Sequence, residues 1–193
     1  DGGLADYVIV PQKQAFPLPT SLDPAFGAFC EPLACCIHGT DVAQIQPGST
    51  VLVLGGGVIG LLTVQLAKLA GANVMLATRN KAKRDLALRL GATAVIDPAA
   101  TDITAEIQSL SHGGADVVME CAGVPETVEQ APKLARPGGR VVIVGVLAQG
   151  LKVQYEPFDL LFREIDIRTS FLNPYTHHRA ADLIANGRIE IEP

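Results

Sequence analysis

Apolar and polar positions alternate along this chain in regular blocks. Short apolar runs predict strands at 51–54, 73–77, 94–96, 115–120, 140–144 and 165–171. Between them, helices are expected at 58–70, 80–90, 102–110, 125–135, 157–163 and 176–186. Leu61, Leu62, Gln65, Leu66, Leu69 and Ala70 carry the helical spacing in the first of these. Gly71 and Gly91 stand where helix C-caps belong, Asn80 at an N-cap, and Pro125 in a first helical turn. Upstream, residues 1 to about 20 read as a strand followed by a proline-rich connector (Pro11, Pro17, Pro19). Ser21 to Val42 read as helical with an interruption at Pro32, and Pro47-Gly48 as a turn. Ile189 to Pro193 alternate like a strand.

Strand–helix alternation implies a parallel sheet covered on both faces. The expectation is an α/β fold, a doubly wound six-stranded parallel sheet in the order 3-2-1-4-5-6 with right-handed crossovers. Ligands then bind beyond the C-terminal strand ends, where strand order reverses.

The segment Val51-Leu-Val-Leu-Gly55-Gly-Gly57-Val-Ile-Gly60 sits at the first such point. It reads as a fully buried strand, a glycine turn and a helix start. In the Rossmann dinucleotide-binding pattern, Gly55 allows the tight turn, Gly57 lets backbone approach the pyrophosphate, and Gly60 lets the helix pack close to the strand. Val58, Ile59 and Gly60 then offer the N-terminal N–H groups and partial positive charge of a helix to the anion. A glycine turn used only for packing is one alternative. A methyltransferase with a different nucleotide-like ligand is another.

The end of the second strand bears on which dinucleotide. A carboxylate there bonds the adenosine ribose 2′-OH of NAD. Here Asn73-Val-Met-Leu-Ala77 runs into Thr78-Arg79-Asn80, with Lys81, Lys83 and Arg84 following and no acid before Asp85. Thr78 can donate to a 2′-phosphate and Arg79 can pair with it through a planar fork. One charge-assisted hydrogen bond of roughly 1.5–3 kcal/mol gives about a 10- to 100-fold preference for NADP. For Lys81 and Arg84 a solvated basic helix start is the competing reading.

Composition narrows the class. The 193 residues, 48% hydrophobic, fit one substantial domain or one domain with an appendage around a well-buried core, and the net charge of −5 argues against a general nucleic-acid surface. Glycines, Gln65 and Lys68 break the long apolar stretch, so a membrane span is not expected and a cytoplasmic setting is. Cys30, Cys35, Cys36 and Cys121 lack zinc spacing and a disulfide framework is not expected; Cys35 and Cys36 read as buried helix residues. His38, His177 and His178 read as structural or surface residues.

Several segments together resemble the zinc-dependent medium-chain alcohol dehydrogenases, in the sorbitol, butanediol and threonine dehydrogenase branch. They are Gly2-Gly-Leu-Ala-Asp-Tyr-Val8, Ala28-Phe-Cys-Glu31-Pro-Leu-Ala-Cys-Cys-Ile-His38, Pro47 to Gly60, Leu90-Gly-Ala-Thr93, Glu120-Cys-Ala-Gly123 and Gly138-Gly-Arg-Val-Val-Ile-Val-Gly-Val146. They follow one another in matching order over nearly the whole chain.

The resemblance implies that Val144, Gly145 and Val146 line the nicotinamide side of a cleft and that Cys121, Ala122 and Gly123 pass close to the cofactor. It implies that Lys83 bonds the adenosine ribose and Phe171 lies near the carboxamide. It places Glu31 beside a catalytic zinc, bound directly or through water, and carboxylate oxygen is a legitimate zinc ligand. Pro32 would bias Glu31 to an extended conformation, and a carboxylate before a helix also has a purely structural use.

It further implies that residues 1–22 are a remnant of a catalytic domain with its connector, and that 23–193 form the NAD(P)-binding domain. The family's main zinc ligands and proton relay lie in an N-terminal domain outside this sequence, so the chain is expected to bind cofactor without turning over substrate. The implied parent interconverts a secondary alcohol or polyol and its ketone with NADP, or NAD, and is a homodimer or homotetramer paired through 165–171. A zinc-independent quinone or enoyl reductase of the same superfamily and a non-catalytic dinucleotide-binding module are the alternatives.

Overall fold

The computed structural model describes residues 3–191. Six strands form one sheet: β1 (Thr50–Leu54), β2 (Asn73–Ala77), β3 (Ala94–Ile96), β4 (Ala115–Glu120), β5 (Ala135–Ile143) and β6 (Asp166–Thr169). All neighbours are parallel and the order is β3-β2-β1-β4-β5-β6, the doubly wound arrangement expected from the alternation. Helices α1 (Pro24–Gly27) and α2 (Cys30–Ala43) precede the sheet. The crossovers carry α3 (Val58–Leu69), α4 (Lys81–Arg89), α5 (Ile103–Leu110), α6 (Pro125–Leu134) and α7 (Pro157–Phe162), and α8 (His177–Ala185) follows β6.

The central strands carry apolar runs, Val51–Leu54 and Val74–Ala77, because both sheet faces are covered. Val51 and Val53 of β1 pack with Val64 and Ala67 of α3 on one face, while Leu52 and Leu54 pack with Ile103, Ile107 and Leu134 on the other. A third cluster joins α2, α3 and α8 through Leu33, Ile37, Leu62, Leu66, Ala181 and Ile184. It fixes α2, and with it Glu31, beside the C-terminal ends of the strands. Asn80 caps α4 by accepting from Lys83 N at 3.1 Å, and Pro125 opens α6.

Four expectations need correction. The N-terminal segment forms no strand among its described residues; Asp1 and Gly2 lie outside them. Residues 3–11 have no ladder partner, leave Leu4, Tyr7 and Ile9 exposed, and lead into a single 3-10 turn at Gln12–Gln14. A lone strand without a neighbour has nothing to satisfy its backbone.

The tail is likewise not a strand over its described part, 189–191, with Glu192 and Pro193 outside the description. Gln65 of α3 takes the place of a ladder there: its Nε2 donates to Glu190 O at 3.0 Å and its Oε1 accepts from Glu190 N at 2.8 Å.

The break in the first helical region falls at Ala28–Phe29, not at Pro32. Pro32 lies in the first turn of α2, where N–H groups have no intrahelical acceptor, so its missing donor costs nothing. Glu31 is therefore helical rather than extended.

The two last strands also differ in extent. β5 begins five residues early with a register shift, Ala115 pairing Ala135 and Val117 pairing Arg140. β6 stops at Thr169, which leaves Phe171 in the loop beyond it.

Candidate functional site

The turn after β1 is shaped by what its glycines touch. Gly55 has φ +107°, and a Cβ there would lie 2.9 Å from Ala122 N at the end of β4. A Cβ on Gly60 would lie 1.9 Å from the Gly55 carbonyl oxygen, with Val53 Cγ1 further off at 3.5 Å. The close approach thus brings the helix onto the turn itself more than onto the strand. Gly57 precedes α3 in extended conformation and faces open space. No acid stands in the first turn of α3, and the N–H groups of Val58, Ile59 and Gly60 are the helix's orphan donors.

Gly56 was not singled out by the motif, yet it joins the turn to the second strand end. A Cβ there would meet Thr78 Cγ2 at 3.0 Å and Lys83 Cβ at 3.1 Å. Thr78 and Lys83 are half-buried against this turn, and Arg79 is exposed beside them. Arg84 is not a solvated basic residue. It is 15% exposed, pairs with Asp97 at 2.8 Å, and donates from Nη1 to Thr78 O at 2.7 Å. The acid at the end of β3 is thereby neutralised from within, and Thr78 is held in place. Lys81 pairs with Asp85 in solvent.

The other wall is a cleft of about 220 Å³ lined by Cys35, Ile59, Cys121, Ala122, Val144, Gly145, Val146, Ser170, Phe171 and Leu172. It brings together the helix start, the ends of β4 and β5, and the loop after β6. Gly123 lies at its back with φ +67°, where a Cβ would meet Val146 N at 3.0 Å.

Glu31 lies on the first turn of α2, exposed at the edge of a separate cavity of about 580 Å³ that Leu172, Asn173, His177 and His178 also line. Its Oε1 accepts from Asn173 Nδ2 at 2.9 Å and from the Cys35 thiol at 3.4 Å. His177 and His178 begin α8 and hold Phe16, His177 stacked on it at 4.4 Å and His178 edge-on at 5.3 Å. His38 lies half-buried on α2. Among the described residues no group of three or more His, Cys, Asp or Glu side chains could hold a metal ion. Glu31 supplies one hard oxygen, which fits a single metal bond and not a complete zinc site.

A family model described as zinc-binding dehydrogenase matches residues 58–186. This chain belongs to that family. As a zinc-binding dehydrogenase chain, it is 34% identical to an uncharacterised zinc-type alcohol dehydrogenase-like protein of Escherichia coli K12, across 99% of this chain and 55% of the relative. It is 32% identical to the sorbitol dehydrogenase of Bacillus subtilis 168, across 98% of this chain and 54% of the relative. A zinc-binding dehydrogenase of Sinorhizobium meliloti 1021, solved bound to NADP, superposes with a TM-score of 0.94 at 61% identity, covering all of this chain and 57% of that one. The chain spans about half the length of the curated relatives it matches and corresponds to their cofactor-binding half.

Sequence reasoning missed one central residue of this dehydrogenase domain. Glu120 ends β4 with 0% exposure. Its Oε1 accepts from Ala122 N and Gly123 N at 2.9 Å each and from Thr127 Oγ1 at 2.7 Å, while its backbone oxygen accepts from Val144 N and Gly145 N. One residue thus shapes the ends of both β4 and β5. The signal was present: an acid closing the apolar run Val117–Met119 is out of place unless donors reach it.

The cysteines also differ from expectation. Cys36 is buried, but Cys35 is half-exposed and lines the cleft. Burial, then the neighbouring Glu31, pushes the Cys35 thiol up to about 11, and burial pushes Cys36 up to about 12 and Cys121 higher still. None of these three is a ready nucleophile at neutral pH.

Proposed function

We propose that this chain is the NADP-binding half of a zinc-dependent dehydrogenase that interconverts a secondary alcohol or polyol and its ketone. The observation that carries the choice of NADP is the end of β2. There Thr78 and exposed Arg79 stand beside the glycine turn where an NAD-specific site places a carboxylate, and the acid at the end of β3, Asp97, is already paired with Arg84. The NADP in the Sinorhizobium relative supports the same reading.

In this reading the first turn of α3 binds the pyrophosphate, Thr78 and Arg79 bind the 2′-phosphate, and Lys83 the adenosine ribose. Backbone at Cys121–Gly123 and Val144–Val146 holds the nicotinamide, with Phe171 at its carboxamide. Bound NADP supplies the hydride acceptor, and the domain supplies orientation and electrostatics. Glu31 contributes one oxygen to the metal, whose other ligands come from the rest of the enzyme. Glu31 also separates this reading from that of a zinc-independent reductase.

Residues 1–22 serve as connector and contact to the catalytic domain, supported by the exposed Leu4, Tyr7 and Ile9. The parent pairs with a second copy through β6. That strand is a sheet edge, and Phe158, Leu161 and Phe162 of the neighbouring α7 are all exposed. A cytoplasmic setting fits four free thiols. Among the described residues no helix is long and apolar enough to cross a membrane.

The test is metal analysis and a panel of diols and polyols on the full-length enzyme. Stoichiometric zinc and NADP-dependent oxidation of a secondary alcohol are expected. A metal-free protein that reduces quinones would refute the assignment. Sedimentation of the full-length enzyme should show at least a dimer, and Phe162→Glu should shift it toward monomer.

A further inference from the structure

The carboxylate of Glu31 is held on one side only. Asn173 Nδ2 and the Cys35 thiol both converge on Oε1, and Asn173 Nδ2 also lies 3.4 Å from Cys35 Sγ. Oε2 has no hydrogen-bond partner among the described residues. Asn173 belongs to the loop between β6 and α8, far from Glu31 in sequence. That loop is pinned to α2 by Thr176, whose buried hydroxyl donates to Ala34 O at 2.8 Å. It carries two non-glycine residues in left-handed conformation, Leu172 at φ +56° and Tyr175 at φ +61°. Such strain persists only where surrounding contacts over-determine it. Leu172 lines both cavities, and Phe171 and Cys35 line the nicotinamide-side cleft.

We propose that Asn173 is a positioning residue for the metal site. Its amide, with the Cys35 thiol beside it, anchors Oε1 of Glu31 so that Oε2 alone is presented to the metal. This rests on the reading of Glu31 as a metal ligand. The physical reason is that an exposed glutamate on a helix has free rotamers, and fixing one oxygen removes most of that freedom before the metal arrives. An amide donor on the same oxygen also disfavours bidentate chelation by Glu31. Because the same loop bears Phe171 and Leu172, the cofactor cleft and the metal carboxylate share one wall. Asn173 therefore fixes their relative placement.

The experiment measures zinc release from the full-length enzyme to a colorimetric chelator, with thermal melting as the control for folding. Asn173→Ala and Asn173→Asp should each release zinc about 10-fold faster than wild type, at the low end for partners of metal ligands. Cys35→Ser, which keeps a donor on Oε1, should release more slowly than Cys35→Ala. If Glu31→Gln speeds release while both Asn173 variants match wild type, Asn173 positions nothing and the proposal is overturned, with the Glu31 reading intact. If Glu31→Gln also matches wild type, Glu31 is no ligand and both fall together.

Discussion

Two walls of one cleft are built here by opposite means. The glycine-turn wall comes from consecutive residues, Gly55 to Gly60, whose constraints are backbone geometry: a left-handed turn at Gly55 and the contact of Gly60 with the Gly55 carbonyl. The facing wall is gathered from α2, the ends of β4 and β5 and the loop after β6, and is held by side chains, chiefly Glu120 and Asn173. The first wall is written in spacing and the second in pairing. A change in the first should therefore disrupt the site outright, and a change in the second should displace it.

Gly60→Val is the strongest way to break the first wall. Its Cβ would fall 1.9 Å from Gly55 O, so helix and turn must separate. Overpacking of this kind costs about 3 kcal/mol, and calorimetry should find nicotinamide cofactor binding by this chain lost.

Glu120→Ala strikes the second wall by leaving the part-buried N–H groups of Ala122 and Gly123 without an acceptor and the Thr127 hydroxyl with Val124 O alone. Denaturant unfolding should show a loss of about 2 kcal/mol, with Glu120→Gln milder because its amide oxygen can still accept. Equal losses in the two variants would mean that charge, not acceptor geometry, shapes the strand ends.

Asp116→Asn serves as the small reference change, far from either wall. Asp116 accepts from Thr50 N at 2.7 Å and Arg136 Nε at 2.6 Å. Burial pushes its carboxyl up, but the Thr50 hydrogen bond and the Arg136 guanidinium outweigh burial and hold it below the usual range. A depressed folded value stabilises above the unfolded value near 4 and is lost as pH falls through the folded one. The variant should lose about 1 kcal/mol at neutral pH, converging on wild type in acid, with cofactor affinity unchanged. A stability difference that persists at low pH would assign the effect to packing.

The same contrast explains what the sequence reveals. Strand positions, sheet order and the glycine turn follow from short-range periodicity, and β2 and β4 fall on the expected residues because each has an apolar centre, Val74–Ala77 and Val117–Met119, bounded by turns. Pro32 misled because a proline in a first helical turn and a proline ending a helix look alike in sequence; only the packing of α2 on α3 and α8 separates them. The N-terminal apolar alternation looks like a strand but has no neighbour here to complete a ladder. Gly56, Glu120 and Asn173 stayed hidden because their roles are contacts across long sequence separations, with Thr78, Gly145 and Glu31 respectively. The resemblance to dehydrogenases supplied Glu31, but not the groups that hold it.

The most direct measurement is titration of this chain with NADPH and NADH, by nicotinamide fluorescence or calorimetry, on wild type and Arg79→Ala. NADPH should bind about 10- to 100-fold more tightly than NADH, and Arg79→Ala should erase most of that difference while leaving NADH affinity as it was. NADH binding as tightly as NADPH, or an Arg79→Ala variant that weakens both alike, would contradict the assignment of Thr78 and Arg79 to a 2′-phosphate.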